Sequence, residues 1–127
     1  MKIDKNNCDI INTKEIYLHD AVFCGIKYDY ASKKIFVEYE LDGYNKHMKY
    51  KKMAFCNVIA FEITACEIWG KSPHIFDFEI SNENAVTKRM LQSDSGVSNK
   101  IDKGFETKLT LSSGDELLVV CEYIIFE

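Results

Sequence analysis

The side chains that could do chemistry in this sequence are histidine, acidic and cysteine residues. His19 is followed by Asp20, and His74 precedes Asp77 by three positions. Imidazole and carboxylate groups at such spacings can bind a metal ion or transfer a proton. However, no third ligand recurs at a useful distance, and His74 and Asp77 would face opposite sides of a strand. The sequence therefore predicts neither a metal site nor an acid–base pair from these residues.

Pairs of acidic residues occur on two predicted strands. Glu38 and Glu40 share one strand face, and so do Asp77 and Glu79. Two carboxyl groups on one face can form the catalytic pair of a glycosidase, but they are far more often part of a solvated face. The sequence also has no nucleophile elbow and no phosphate-binding glycine-rich loop. We therefore predict no catalytic residue, no cofactor and no metal, and a protein that is not an enzyme.

The cysteines favour a reduced, structural role. There are five, at positions 8, 24, 56, 66 and 121, without a C-x-x-C pair. Cys24, Cys56 and Cys121 lie in apolar runs, where a reduced cysteine behaves as a small hydrophobic residue. The odd number of cysteines and a polar amino terminus without the apolar segment of a signal peptide predict a cytoplasmic location.

Composition narrows the class of protein. A chain of 127 residues with 46% hydrophobic residues is expected to form one globular domain spanning residues 1–127. The formal net charge of −4 disfavours nucleic-acid binding, which usually requires a basic surface. No stretch approaches the roughly 18 apolar residues of a membrane helix. We therefore expect neither nucleic acid nor membrane as a partner.

Apolar residues recur at every second position along most of the chain, which predicts an all-β or mainly β fold. We predict an antiparallel β-sandwich or strongly curved sheet of about eight strands with at most one short helix. That helix would lie within residues 82–92, where an irregular segment is nearly as compatible, and the polar segment Ser93–Lys103 is predicted to be a loop. The expected core residues are Val22, Ile26, Val37, Tyr39, Phe55, Phe61, Ile63, Phe78, Leu109, Leu111, Val119 and Cys121.

A first hairpin is predicted around the turn Tyr30–Lys33. Pairing Tyr28 with Ile35 and Cys24 with Tyr39 keeps the apolar residues of both strands on one side of the sheet. The register therefore places Cys24 in the core.

A second hairpin is predicted around the turn Ser112–Asp115. Pairing Leu111 with Leu117 keeps apolar residues beside apolar residues, which favours a loop of three or five residues. Between the two hairpins, the long run of residues 53–68 changes the parity of its apolar positions. We therefore predict a bulge near Cys56–Asn57.

The last strand, Glu116–Phe126, is apolar on both faces. A strand of a simple two-layer domain usually has one apolar and one solvated face, so its second face requires a cover. A helix, another part of the sheet or a second copy of the chain would serve. If the cover is a second copy, the protein is a structural homo-oligomer whose interface contains Leu118, Val120, Ile124 and Phe126.

Several aromatic residues lie beside polar turns, among them Tyr44 and Trp69. Exposed tyrosine and tryptophan are favoured at protein interfaces because they offer a large contact area with few torsions to restrict. Alternatively, they line the rim of the core with their polar atoms in water.

The order of short patterns resembles small bacterial β-domain proteins, some of which are immunity proteins of polymorphic toxin systems. The patterns are Leu18-His19-Asp20, Met53-x-Phe55-x-x-Val58, Trp69-Gly70 and Ser113-Gly114-Asp115-x-Leu117-x-Val119-x-Cys121. The resemblance implies a non-enzymatic β domain that binds another protein, and it implies no catalytic residues.

The function expected from these features is a cytoplasmic protein-binding module that occludes a site on a basic partner. The resemblance implies that the module is immunity-like. Its expected contact residues are Glu38, Glu40, Tyr44, Trp69, Asp77 and Glu79. The alternatives are the structural homo-oligomer and a small-ligand or carbohydrate-binding β domain.

Overall fold

In the described part of the chain, seven strands form one antiparallel sheet. The structure, a computed structural model, describes residues 1–64, 73–93 and 98–127. In chain order the strands are β1 (Lys2–Asp4), β2 (Val22–Asp29), β3 (Lys34–Glu40), β4 (Lys52–Ile63), β5 (Ile75–Ile80), β6 (Phe105–Leu111) and β7 (Glu116–Phe126). The prediction of a mainly β fold built on an antiparallel sheet is confirmed.

The helical elements are short. α1 (Ala85–Ser93) follows β5, and α2 (Ser98–Ile101) precedes β6. Two 3₁₀ helices span Cys8–Ile10 and Gly43–Asn45. The segment that was ambiguous in the sequence is therefore helical from Ala85 onward, and α2 is an additional single turn within the predicted loop.

Strand β7 lies at the centre of the sheet. The strand order is β2-β3-β4-β7-β6-β5, and β1 pairs with β7 next to the position where β6 begins. β4 pairs along most of the other edge of β7, from Met53–Phe126 to Ile63–Leu117. A strand with neighbours on both edges is shielded from water along its backbone, which fits its nearly continuous apolar sequence.

The sheet is strongly curved, because β2 and β5, which lie at opposite ends of the strand order, meet at one point. Val22 of β2 forms an isolated antiparallel bridge with His74. The amide of Phe23 donates to the carbonyl of Pro73 at 2.8 Å, and the amide of Ile75 donates to the carbonyl of Ala21 at 2.8 Å. We call these contacts the β2–β5 seam; the sheet is not closed elsewhere along these two strands.

The hydrophobic core lies on the face that the sheet curves around. Its fully buried side chains include Phe55, Phe126, Ile35, Ile75, Leu109, Ile124 and Val119. Of the predicted core residues, Val37, Tyr39, Phe55, Phe78, Leu109, Leu111, Val119 and Cys121 are buried, and Ile26 and Phe61 are partly buried against the core. The prediction is wrong for Ile63, which is 39% exposed near the end of β4, and for Val22, which is only half-buried at the seam.

The first hairpin has the predicted register near its turn and a different one farther away. Tyr28 pairs with Ile35 as predicted, but the register shifts between Phe23 and Gly25, so that Phe23 pairs with Tyr39. The bulge leaves Cys24 exposed, and the prediction of a buried Cys24 is wrong. Gly25 follows it with φ 154°, a conformation that favours glycine.

In both β4 and β7, the alternation of core-facing side chains shifts by one residue partway along the strand. The two shifts occur at the same level of the sheet. On β4, Phe55 and then Val58 belong to the core, which alternate positions of a regular strand would not allow. Between them Asn57 adopts φ 50°, and its side-chain amide donates a hydrogen bond to the carboxylate of Glu122 of β7 at 2.9 Å. The predicted change of face is confirmed here, whereas the shift in register comes slightly later, between Val58 and Ala60.

The second face of β7 is covered within the chain. The side chains of Ile124 and Phe126 belong to the core and have no exposed surface. Val120 is also fully buried, but on the outer side, where α1 packs against β4 and β7. Leu118 is half-buried beside it. The prediction that these four residues form one face for a second copy is therefore wrong, because the change of face divides them between two sides.

The second hairpin has a three-residue loop. Leu109 pairs with Leu117, and the amide of Leu111 donates to the carbonyl of Asp115 at 2.8 Å. Gly114 ends the loop with φ 92°. The shorter of the two predicted loops is thus confirmed, and the pairing of Leu111 with Leu117 is wrong by two positions.

The described helices of the protein are all too short to cross a lipid bilayer.

Candidate partner-binding surface

The outward side chains of β3 remain uncovered. Its inward residues Ile35, Val37 and Tyr39 are buried in the core, so the alternation places Phe36 and the two glutamates Glu38 and Glu40 outside. Phe36 is 39% exposed, which is unusual for a large apolar residue in the middle of a sheet.

A groove of about 570 Å³ runs over this face. The bulge in β2 turns Cys24 into it, and lysines of β2 and of the start of β4 line its sides. We define the β3 surface as the outward side chains that line this groove, which are Cys24, Lys27, Phe36, Glu38, Glu40, Lys51 and Lys52.

Phe36 belongs to a row of apolar side chains that crosses three strands. It pairs with Ala54 of β4, and Ala54 pairs with Ile125 of β7. Directly opposed residues in antiparallel strands point to the same face, so the three side chains form a continuous strip. Lysines stand at both ends of the strip, since Lys27 pairs with Phe36 and Lys2 pairs with Ile125. A second groove of about 330 Å³ lies along this strip.

The charged groups around the strip are not neutralised by one another. Lys52 is directly opposite Glu38 in the sheet, yet neither they nor Glu40 form an ion pair within the described residues. An apolar centre with uncommitted charges at its rim is the composition of a protein–protein interface.

Cys24 is exposed in this surface but is not activated. Partial removal of the thiol from water and the negative charges of Glu40 and Glu38 raise its pKa above the ordinary value. The nucleophilic thiolate is therefore disfavoured at neutral pH. The raised pKa therefore argues against Cys24 as a nucleophile.

The structure does not bring the predicted acidic residues together. Glu38 and Glu40 lie on β3, whereas Asp77 and Glu79 lie on β5, at the far end of the strand order. Glu79 pairs with Lys108 and is half-buried. Its partial burial and the charge of Asp77 raise its pKa.

Two aromatic residues, Tyr44 and Trp69, were also predicted as partner contacts. Tyr44 lies in the 3₁₀ helix Gly43–Asn45, and Trp69 is outside the described residues.

Phe36 was missed in the sequence although a signal for it is present. It shares its parity with Glu38 and Glu40, so it is an apolar residue on a face that is otherwise polar. The exposure of Cys24 also had a signal, because an isolated glycine inside a strand, here Gly25, often marks a bulge.

The histidines of the described residues are not grouped with two or more other potential metal ligands. The ring of His19 bonds the carbonyl of Phe76 through Nδ1 and lies 3.6 Å from the carboxylate of Asp20. Within residues 1–64, 73–93 and 98–127, histidine, cysteine and acidic residues form no group of three or more that could hold a metal ion.

Comparison with known proteins gives no further guide to function. No protein-family model matches the sequence, and no curated protein is similar enough to it to count as a match.

Proposed function

We propose that this protein is a non-enzymatic protein-binding module that occludes a site on its partner through the β3 surface. The observation that supports this most directly is the strip Phe36–Ala54–Ile125, in which Phe36 is 39% exposed and the other two residues are half-buried. A strip of this kind bordered by charges is suited to a partner with an apolar patch and charged groups around it.

The charges of the surface define the partner more closely. Glu38 and Glu40 suit basic groups, in agreement with the basic partner expected from the sequence. Lys27 and Lys52 lie in the same groove and suit acidic groups. The partner of the β3 surface should therefore present charges of both signs. Such complementary charges define the orientation in which the partner binds and increase the rate of association. The resemblance to immunity proteins supports a protein toxin as the partner and the bacterial cytoplasm as the location of the module.

The test is capture of the tagged protein from native extract, followed by mass spectrometry and a size measurement on the same eluate. We expect one stoichiometric foreign protein. Phe36→Ala should weaken its binding by more than about 1 kcal/mol, because Phe36 is the largest side chain of the strip and is 39% exposed. The matched control is Phe76→Ala, since Phe76 is 60% exposed on β5 and lies outside the β3 surface.

Three outcomes would count against the proposal. Equal affinities of the Phe36→Ala variant and the parent would remove the β3 surface from the interface. Loss of binding in the Phe76→Ala variant alone would move the interface to β5. Recovery of the protein by itself as a dimer would favour the homo-oligomer, with a second copy on the strip instead of the predicted β7 residues.

A further inference from the structure

A separate groove of about 490 Å³ lies at the turn of the β2–β3 hairpin. It shares no lining residue with the groove of the β3 surface. Side chains of the hairpin form one part of its wall, and Met90 of α1 and Lys100 of α2 form another. Residues distant in the chain therefore converge on it, as they do on ligand sites.

The hairpin supplies aromatic rings to this groove. Tyr28 packs edge-on against Phe61, with ring centres 4.7 Å apart, and is thereby fixed to the core. Tyr30 packs edge-on against Tyr28 at 6.2 Å and is 73% exposed. A held ring next to an exposed ring offers a planar ligand a stacking surface that is already in place.

The groove also contains two cationic groups. The ammonium group of Lys33 lies 3.4 Å from the centre of the Tyr30 ring. Neither Lys33 nor Lys100 forms an ion pair with an acidic residue in the described part of the chain. The acidic residue that lines the groove, Glu122, already accepts a hydrogen bond from Asn57 at 2.9 Å. With two lysines and one glutamate among its lining residues, the groove carries a net positive charge.

Two of the lining residues hold strained backbone conformations. Lys33 has φ 54° and Asn57 has φ 50°, and the amide of Val58 donates to the carbonyl of Lys33 at 2.9 Å. Residues other than glycine adopt such backbone conformations at a cost in free energy. Strained conformations of this kind concentrate at functional sites. Here Lys33 lies in the hairpin turn and Asn57 lies next to the bulge of β4, and both residues line the same groove.

We propose that this groove binds a small aromatic anion, a planar ring that carries a carboxylate or phosphate group. The ring would stack on the tyrosines, and the anionic group would lie between the ammonium groups of Lys33 and Lys100. A neutral sugar would use the rings but leave both cations unpaired, and a simple anion would leave the rings uncovered.

The test uses phenyl phosphate, inorganic phosphate, phenol and maltotriose as probes, each titrated into isotope-labelled protein and followed by the NMR shifts of backbone amides. We expect phenyl phosphate to shift the amides of the groove and to bind about tenfold more tightly than phosphate or phenol. Equal binding of phosphate and phenyl phosphate, tighter binding of maltotriose, or shifts outside the groove would each overturn the proposal.

Variants separate the groove from the rest of the surface. Tyr30→Ala and Lys100→Ala should each weaken phenyl phosphate binding about fivefold or more. The matched lysine control is Lys5→Ala. In the parent protein the ammonium group of Lys5 donates a hydrogen bond to the carbonyl of Asp102, outside the groove. Phe36→Ala should leave phenyl phosphate binding unchanged, so failure of this proposal is distinct from failure of the β3 surface. Unchanged binding in both groove variants would refute the site.

Discussion

Two regions of the outer face of the sheet contain apolar and acidic residues, but they differ in whether these residues are covered. On the β3 surface, Phe36 is exposed and the glutamates beside it have no ion-pair partner among the described residues. Where β6 and β7 meet α1, which we call the α1-covered surface, Val120 is fully buried and Glu106 is 1% exposed. Both regions present apolar and acidic residues outward from paired strands, so the pattern of residue types does not separate them.

The difference comes from what each acidic residue contacts. Glu106 pairs with Val120 across the strands and accepts bonds from the amide and the hydroxyl of Thr87, both at 2.8 Å. Its carboxylate thereby satisfies donors at the amino-terminal end of α1 and holds the helix over Val120. No helix is attached in this way to β3 in the described residues. The β3 surface therefore remains uncovered among the described residues.

The largest expected effect comes from Glu106. Glu106→Ala should lower the free energy of unfolding by about 2–3 kcal/mol, because it leaves buried helix amides without an acceptor and removes a buried side chain. Denaturation in urea measures this. The matched control is Glu38→Ala on the β3 surface, which should change stability by less than about 0.5 kcal/mol. If the two substitutions cost the same, the contrast between the surfaces would fail.

The residue next to Glu106 should show the opposite effect. Thr107 is buried on the core side of β6, and its hydroxyl has no hydrogen-bond partner among the described residues. Thr107→Val keeps the shape and removes the unsatisfied group, so we expect it to raise stability by about 1 kcal/mol. A loss of stability in the same urea experiment would mean that the hydroxyl is bonded in solution.

A smaller effect, dependent on pH, is expected on β5. The pKa of Glu79 is raised above its ordinary value of 4.5 by partial burial and by the charge of Asp77. A raised pKa contributes stability that is present below the ordinary value and lost as the pH rises through the folded value. Asp77→Asn removes part of the repulsion, so it should stabilise the protein at about pH 7 and have little effect at about pH 3.

Stability curves at both pH values test this expectation. As a control, Asp77→Asn in a Glu79→Gln background should show no difference between the two pH values, because the carboxylate that Asp77 repels is then absent. A stabilisation by Asp77→Asn that persists at low pH would point to a cause other than charge repulsion.

The last effect changes reactivity and leaves stability unchanged. Since the charges of Glu40 and Glu38 help to raise the pKa of Cys24, the double variant Glu38→Gln/Glu40→Gln should lower it. In a background with Cys8 and Cys66 replaced by serine, alkylation of Cys24 near pH 8 should become about threefold faster. An unchanged rate would show that these glutamates do not act on the groove as the geometry indicates.

The sequence predicts the fold class and the hairpins well because alternation of apolar residues reports directly on the faces of strands. The registers fail where one extra residue enters a strand. At Cys24 the alternation continues through the bulge, and only the neighbouring Gly25 indicates it. Alternation also cannot distinguish a register from one shifted by two, which is why Leu111 was paired with Leu117.

The candidate site was less predictable than the fold. Glu38 and Glu40 were identified as outward residues, and they do lie on the β3 surface. Asp77 and Glu79 were grouped with them, although distances between strands depend on the order of strands in the sheet. That order is not encoded in local periodicity. The packing of α1 over Val120 depends on a tertiary contact of Glu106. A contact between residues distant in the chain cannot be predicted from a local sequence pattern.

The β2–β5 seam has a consequence for the order of folding. It joins Val22 to His74, which are far apart in the chain, through a few hydrogen bonds, whereas the β2–β3 and β6–β7 hairpins join near neighbours. Closing a long segment of chain costs entropy before its contacts form. We therefore expect the hairpins to form early and the curvature of the sheet to be completed last. The amides of Phe23 and Ile75 would then exchange with solvent through partial openings that leave the centre of the sheet intact.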